Sequence, residues 1–262
     1  LAVATLAAMS LPVAPASKRE TIANEQSSRT PVIVELFTSE GCSSCPPADA
    51  LLASLEEQQP VPGAEIIGLE EHVDYWNHQG WIDPFSSEQW TERQQAYAAA
   101  RNTESIYTPQ IVVNGRTEFV GNRAQEARHT IAASTSQLQA EISLSALPSA
   151  KRGREQFNIT VGKLAETAPS DTPEVWLAIT EKGLHSSVNA GENAGHDLRH
   201  ASVVRLLRKL GIANKTNGPS FTAQADLKLD SSWKRLNLRT IAFVQEKHSR
   251  HILAAASATL QP

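Results

Sequence analysis

The apolar run Val32-Ile33-Val34-Glu35-Leu36-Phe37, interrupted only by Glu35, passes through a short polar turn into Cys42-Ser43-Ser44-Cys45. These are the only two cysteines among 262 residues. An apolar, β-branched run without alternation reads as a strand buried on both faces. From Ala48 to Leu55 the residues Ala48, Leu51, Leu52 and Leu55 form one stripe at helical spacing. A Cys-x-x-Cys between such a strand and such a helix is the sequence form of a dithiol redox site. A helix starting at the cysteines would turn unpaired amides and the positive end of its dipole toward the first sulfur, favouring thiolate. Three other readings stand beside it. Half a zinc site would need distant histidines, a structural bridge over so short a loop would constrain the unfolded chain little, and the thiols could be inert.

The net charge of −4, with acids and bases interspersed, leaves no basic patch and excludes a nucleic-acid partner. The spacings of His72 and His78, His185, His196 and His200, and His248 and His251 match no compact metal motif, so no metal or cofactor is expected. Residues 1–16 are small and apolar, too short to cross a bilayer, and end in Ala14-Pro15-Ala16, a small-x-small cleavage pattern. They read as a signal-peptide remnant, which implies a periplasmic or secreted protein without stable membrane insertion. Residues 17–30 are polar and aperiodic and read as a disordered tether.

Pro46 and Pro47 fit a helix only in its first turn, where amide hydrogens are unpaired in any case. The cysteines must therefore sit at the helix start. Ala64-Glu65-Ile66-Ile67-Gly68-Leu69 is a candidate second strand. Three of the five tryptophans fall between Trp76 and Trp90, in a segment read as irregular and packed by its own rings rather than as a contact surface. Glu88 to Arg101 reads as helix. Tyr107-Thr108-Pro109-Gln110-Ile111-Val112-Val113-Asn114-Gly115 with Arg116 to Val120 reads as strand, Asn-Gly turn and strand.

These pieces resemble the thioredoxin superfamily, and more closely the secreted bacterial thioredoxin-like family DUF1223. The carrying residues are Val34 to Asp49, His72-Val73-Asp74-Tyr75-Trp76 with Gly80-Trp81, Arg93-Gln94 with Tyr97, and Tyr107-Thr108-Pro109-Gln110. The resemblance implies a cis peptide bond before Pro109, beside the cysteines. It also places Glu35 at the position of the buried acid that thioredoxins carry beneath their cysteines, with one extra residue in the loop. A carboxylate in such a strand is costly to bury and needs a partner or a task. Ser43-Ser44, the Pro-Pro pair and the long insertion before Pro109 depart from thioredoxin, so redox potential and substrate are not carried over.

From Ala140 the pattern alternates. Glu141 to Leu147, Gln156 to Val161, Val175 to Ile179, Phe221 to Leu229, Leu238 to Gln245 and Ile252 to Leu260 read as short strands of a small sandwich. Val203 to Leu210 is ambiguous between strand and helix. The glycine-bearing stretch Gly191 to His200 resembles a second block of the same family. It reads as a plain loop, with a docking loop as the alternative.

The sequence thus predicts an α/β thioredoxin-like domain over residues 31–138, followed by an all-β sandwich-like domain over residues 139–262. The expected function is thiol–disulfide exchange on the cysteines of other proteins, recycled by a separate redox partner. Cys42 would attack and Cys45 resolve, Thr108 and Pro109 would present backbone to the substrate, and Glu35 would carry the proton. The alternatives are an envelope copper protein using both thiolates and His72, and a non-catalytic binding module with a structural disulfide.

Overall fold

The computed structural model describes residues 29–138, 140–147, 153–164, 171–214 and 218–260. The leader and most of the tether lie outside the described residues. β1 (Thr30–Thr38) runs parallel to β2 (Ala64–His72) and antiparallel to β3 (Gln110–Val113), which pairs antiparallel with β4 (Thr117–Val120). Helices α1 (Pro46–Gln58), α2 (Glu88–Ala100) and α3 (Ala124–Ser134) connect or follow these strands. The Asn-Gly turn closes the β3–β4 hairpin as expected, with φ of 45° at Asn114 and 68° at Gly115. A Cβ at Gly115 would lie 1.9 Å from the Arg250 carbonyl oxygen, so only glycine fits there.

The pleat of β1 divides its side chains between two layers. Val32, Val34 and Leu36 pack with Ala48, Leu52 and Leu55 of α1 and Ala127 and Ile131 of α3. Ile33 and Phe37 pack on the opposite face with Trp90 and Tyr97 of α2. Both faces being covered explains why the run shows no alternation.

The chain continues through β5 (Ile142–Leu147), β6 (Arg154–Val161), β7 (Pro173–Ser187), β8 (Asp197–Ile212), β9 (Phe221–Lys228), β10 (Leu238–Glu246) and β11 (Ile252–Thr259). The boundary expected at residue 139 does not divide the main sheet. One eight-stranded sheet runs β11-β10-β7-β8-β2-β1-β3-β4, and β8 meets β2 in parallel at Val203 and Glu70. A second sheet, β5-β6-β9, packs Phe157, Ile159, Val161, Ala225 and Leu227 onto Val175, Leu177, Ile179, Ala242 and Val244 of β7 and β10. A sandwich therefore exists in the second half, but one of its layers is the extension of the first half's sheet. The whole is a mixed α/β structure with one large sheet and few helices. The ambiguous stretch at Val203 to Leu210 is strand throughout. The β7–β8 register slips between Val175 and Trp176 and again between Ile179 and Thr180, and these bulges shift the two-residue period, leaving leucines at helix-like intervals.

Candidate functional site

Cys42 and Cys45 form a disulfide with a Cα–Cα distance of 5.4 Å. Cys45 is the N-cap of α1, its carbonyl accepting from the amides of Ala48 and Asp49, while Pro46 and Pro47 occupy the first turn as the sequence requires. The peptide bond between Thr108 and Pro109 is cis, as the family resemblance implied. A Cβ on Gly121 would lie 3.0 Å from the Cβ atoms of both Ala48 and Pro109, so the absence of a side chain there lets the Pro109 loop approach α1. Trp76 ties the two loops together. Its Nε1 donates to Thr108 Oγ1 at 2.8 Å, and its Cβ lies against Gly41.

Both cysteines are fully buried. The loop read as plain connection supplies part of the cover. Asn193 Nδ2 donates to the carbonyls of Glu40 at 2.8 Å and Cys42 at 3.0 Å, and the Ser43 amide donates to Glu192 Oε2 at 3.1 Å. Asn193→Ala is expected to speed reduction of the disulfide by dithiothreitol about tenfold, since each lost bond contributes about 0.5–1.5 kcal/mol to holding the loop shut. An unchanged rate would show that this loop does not limit access.

Glu35 is fully buried, but on the α2 face with Ile33 and Phe37, whereas the cysteine helix lies on the other face. Arg93 Nη2 contacts its Oε2 at 2.6 Å and the Tyr97 hydroxyl donates to its Oε1. Its carboxylate is thus paired with Arg93 and Tyr97, on the side of β1 away from the cysteine helix. On the cysteine helix itself the buried acid is Asp49, one turn beyond Cys45, whose amide donates to the Cys45 carbonyl and whose carboxylate accepts from Thr38 Oγ1 at 2.7 Å. Burial and then the charge of Glu70 push its pKa up to about 7, although the Thr38 bond and the charges of His200 and His72 pull it back. Sequence reasoning missed Asp49. Its signal was an acid between Ala48 and Leu52, inside the apolar stripe.

Beside this lies a buried chain of alternating acids and imidazoles. Asp83 Oδ2 is 2.7 Å from His72 Nδ1, His72 Nε2 is 3.3 Å from Glu70 Oε1, Glu70 Oε1 is 3.0 Å from His200 Nδ1, and His200 Nε2 is 2.9 Å from Glu40 Oε1. Burial opposes charge at Asp83, His72, Glu70 and His200. Hydrogen bonds from His200 and His72 nevertheless hold Glu70 down at about 2, and bonds to Glu40 and Glu70 lift His200 to about 9. The tryptophan segment seals this chain. Trp81 Nε1 donates to Glu40 Oε2 at 2.7 Å, and Phe85 meets both imidazoles edge-on. Both ring nitrogens of His72 thus face acids, Nδ1 toward Asp83 and Nε2 toward Glu70.

A model of the family DUF1223, described as proteins of unknown function, matches residues 33–245. No curated protein matches the chain. The crystal structure of protein AGR_C_4864 from Agrobacterium tumefaciens is similar at 24% identity and a TM-score of 0.64, over 86% of this chain and 92% of that one. HBP35 of Porphyromonas gingivalis is similar at 18% identity and a TM-score of 0.64, over 88% of this chain and 76% of that one. Both likenesses are of fold alone. Among the described residues no helix is long and apolar enough to cross a membrane.

Proposed function

The chain belongs to the DUF1223 family, and from its site we propose that it is a thioredoxin-like thiol–disulfide oxidoreductase acting on the cysteines of other proteins. The observation that carries this is the Cys42–Cys45 disulfide at the N-terminus of α1, in a molecule whose cis Thr108–Pro109 bond lies on a loop packed against that helix. The order of strand, cysteine pair, helix, parallel strand, cis-proline and hairpin supports the thioredoxin-like reading.

In the reduced form the Cys42 thiolate attacks a substrate disulfide, and the displaced substrate sulfur leaves with the electron pair and takes a proton from solvent. The Cys45 thiol then gives its proton to the Asp49 carboxylate and its sulfur attacks Cys42 Sγ of the mixed disulfide. The second substrate sulfur is released as a thiolate, Cys42 and Cys45 are left bridged, and two electrons have passed to the substrate. A redox partner bearing a dithiol returns them. Thr108 and Pro109 present backbone groups to the substrate strand. A bridged pair fits an oxidising compartment, periplasmic or secreted.

Complete burial of both sulfurs favours a second reading, in which the disulfide only stabilises a binding module. Turnover of insulin disulfides with dithiothreitol separates the two. The full chain is expected to accelerate insulin reduction, and Cys42→Ser and Cys45→Ser each to abolish the acceleration. A disulfide that dithiothreitol reduces reversibly without any acceleration would overturn the oxidoreductase reading.

A further inference from the structure

We propose that Glu70, His72 and His200 form a binding site for one divalent transition-metal ion of the zinc class, independent of the cysteine pair. Glu70 and His72 stand on β2 and His200 on β8, so the site exists only where the second half of the chain joins the first half's sheet. Each offers one ligand atom within 4.8 Å of the other two, and Glu70 Oε1 lies 3.3 Å from His72 Nε2 and 3.0 Å from His200 Nδ1. All three side chains are fully or almost fully buried.

The surroundings fix how these atoms point. His72 turns its other nitrogen to Asp83 and His200 turns its other nitrogen to Glu40, each within hydrogen-bond distance. Those carboxylates are themselves held, Asp83 by the Glu40 amide at 2.8 Å and Glu40 by the Trp81 indole at 2.7 Å. The second oxygen of Glu70 is occupied by the amides of Ala201 and Ser202. An imidazole that gives one N–H to a carboxylate presents a lone pair at the other nitrogen, the arrangement in which histidine ligates metal. With Nδ1 of His72 and Nε2 of His200 as the donors, two lone pairs and a carboxylate oxygen face one another, and only positive charge can satisfy that centre.

Two protons or one divalent cation would supply it. Protons put full positive charge on two imidazoles whose centroids are 4.7 Å apart in the dry interior. A divalent ion exchanged for those two protons leaves the total charge unchanged and both imidazoles neutral. Two imidazoles and one carboxylate suit zinc and its neighbours, whereas magnesium and calcium prefer an all-oxygen shell. Of the three ligands, His200 stands nearest the surface, lining a cleft beside α1 and the β7–β8 hairpin.

The test uses the full chain without a histidine tag, oxidised so that no thiol can ligate, stripped with a chelator and titrated with zinc against a chromophoric competitor. One equivalent is expected to bind. Glu70→Gln and His200→Ala should abolish binding, and Asp83→Asn should weaken it about 10–100-fold by freeing the His72 ring. The Cys42→Ser/Cys45→Ser double variant should bind as the parent does, whether or not the chain is an oxidoreductase. If His200→Ala fails to fold, the Glu70→Gln result decides alone, since glutamine keeps the shape and amide contacts of Glu70. Absence of a stoichiometric site, or binding that survives Glu70→Gln, would overturn the proposal.

Discussion

Replacing Asp49 by asparagine is expected to slow resolution of the mixed disulfide by about 10²-fold, the lower range of general acid–base contributions. Its carboxyl titrates at about 7, raised above all by burial. Below that pH it is protonated and cannot accept the Cys45 proton, so the parent rate should rise through pH 7 and level off above it. The variant should lack this inflection, while alkylation of Cys42 in the reduced protein proceeds as before. Asparagine still accepts from Thr38, so the fold is retained. Stability gives a second readout. Between pH 3.8 and about 7 the folded chain holds a proton that the unfolded chain releases, so the parent loses stability as pH rises across that window. Asp49→Asn should flatten that slope. Stopped-flow rates across pH, with Glu35→Gln as a comparison expected to keep the inflection, decide the matter. An unchanged Asp49→Asn profile would remove Asp49 from the mechanism.

Arg93→Ala is expected to destabilise the fold by about 3–5 kcal/mol, the range for removing one partner of a buried ion pair. Arg93 Nη2 lies 2.6 Å from Glu35 Oε2 and its Nε 3.2 Å from Glu71 Oε1, and Nη1 donates to Gln245 of β10 at 3.1 Å. All three partners are fully buried. Burial pushes the Glu71 carboxyl well above its ordinary range, with Arg93 the main opposing influence, so truncation removes the cation that both buried acids face. Urea unfolding measures the loss. An Arg93→Leu/Glu35→Leu double variant should recover most of it, because replacing a whole buried pair by apolar groups is far less costly than breaking it. A single-variant loss below about 1 kcal/mol would mean that water reaches this cluster.

The local features of the site were legible because they depend on neighbours in sequence. The strand, the cysteine pair, the two prolines and the helix follow one another, and each restricts the next. The cis bond at Pro109 came only from family likeness, since an X-Pro bond does not announce its isomer. Glu35 was recognised as buried, but its face was not recoverable. With Val32, Ile33, Val34, Leu36 and Phe37 all apolar, the alternation that would separate the two layers is missing. The His72–His200 pairing was invisible for a different reason. Its members reach Glu70 from the same strand and from 130 residues away, and no spacing rule covers the second. The single large sheet was hidden by the same join, because the bulges in β8 masked the strand that makes it.

That join also governs when the site can exist. Chain leaving the ribosome displays β1, the cysteines and the outer edge of β2 long before β8 arrives to pair with it, and contacts of such sequence separation are slow to form. Until then the edge of β2 is an open template and Glu70 lacks its amide partners. The Asn193 loop, which directly precedes β8, also cannot yet cover the sulfurs. The cysteines are therefore uncovered during assembly, and the second half closes over them only once β8 and the loop before it are in place.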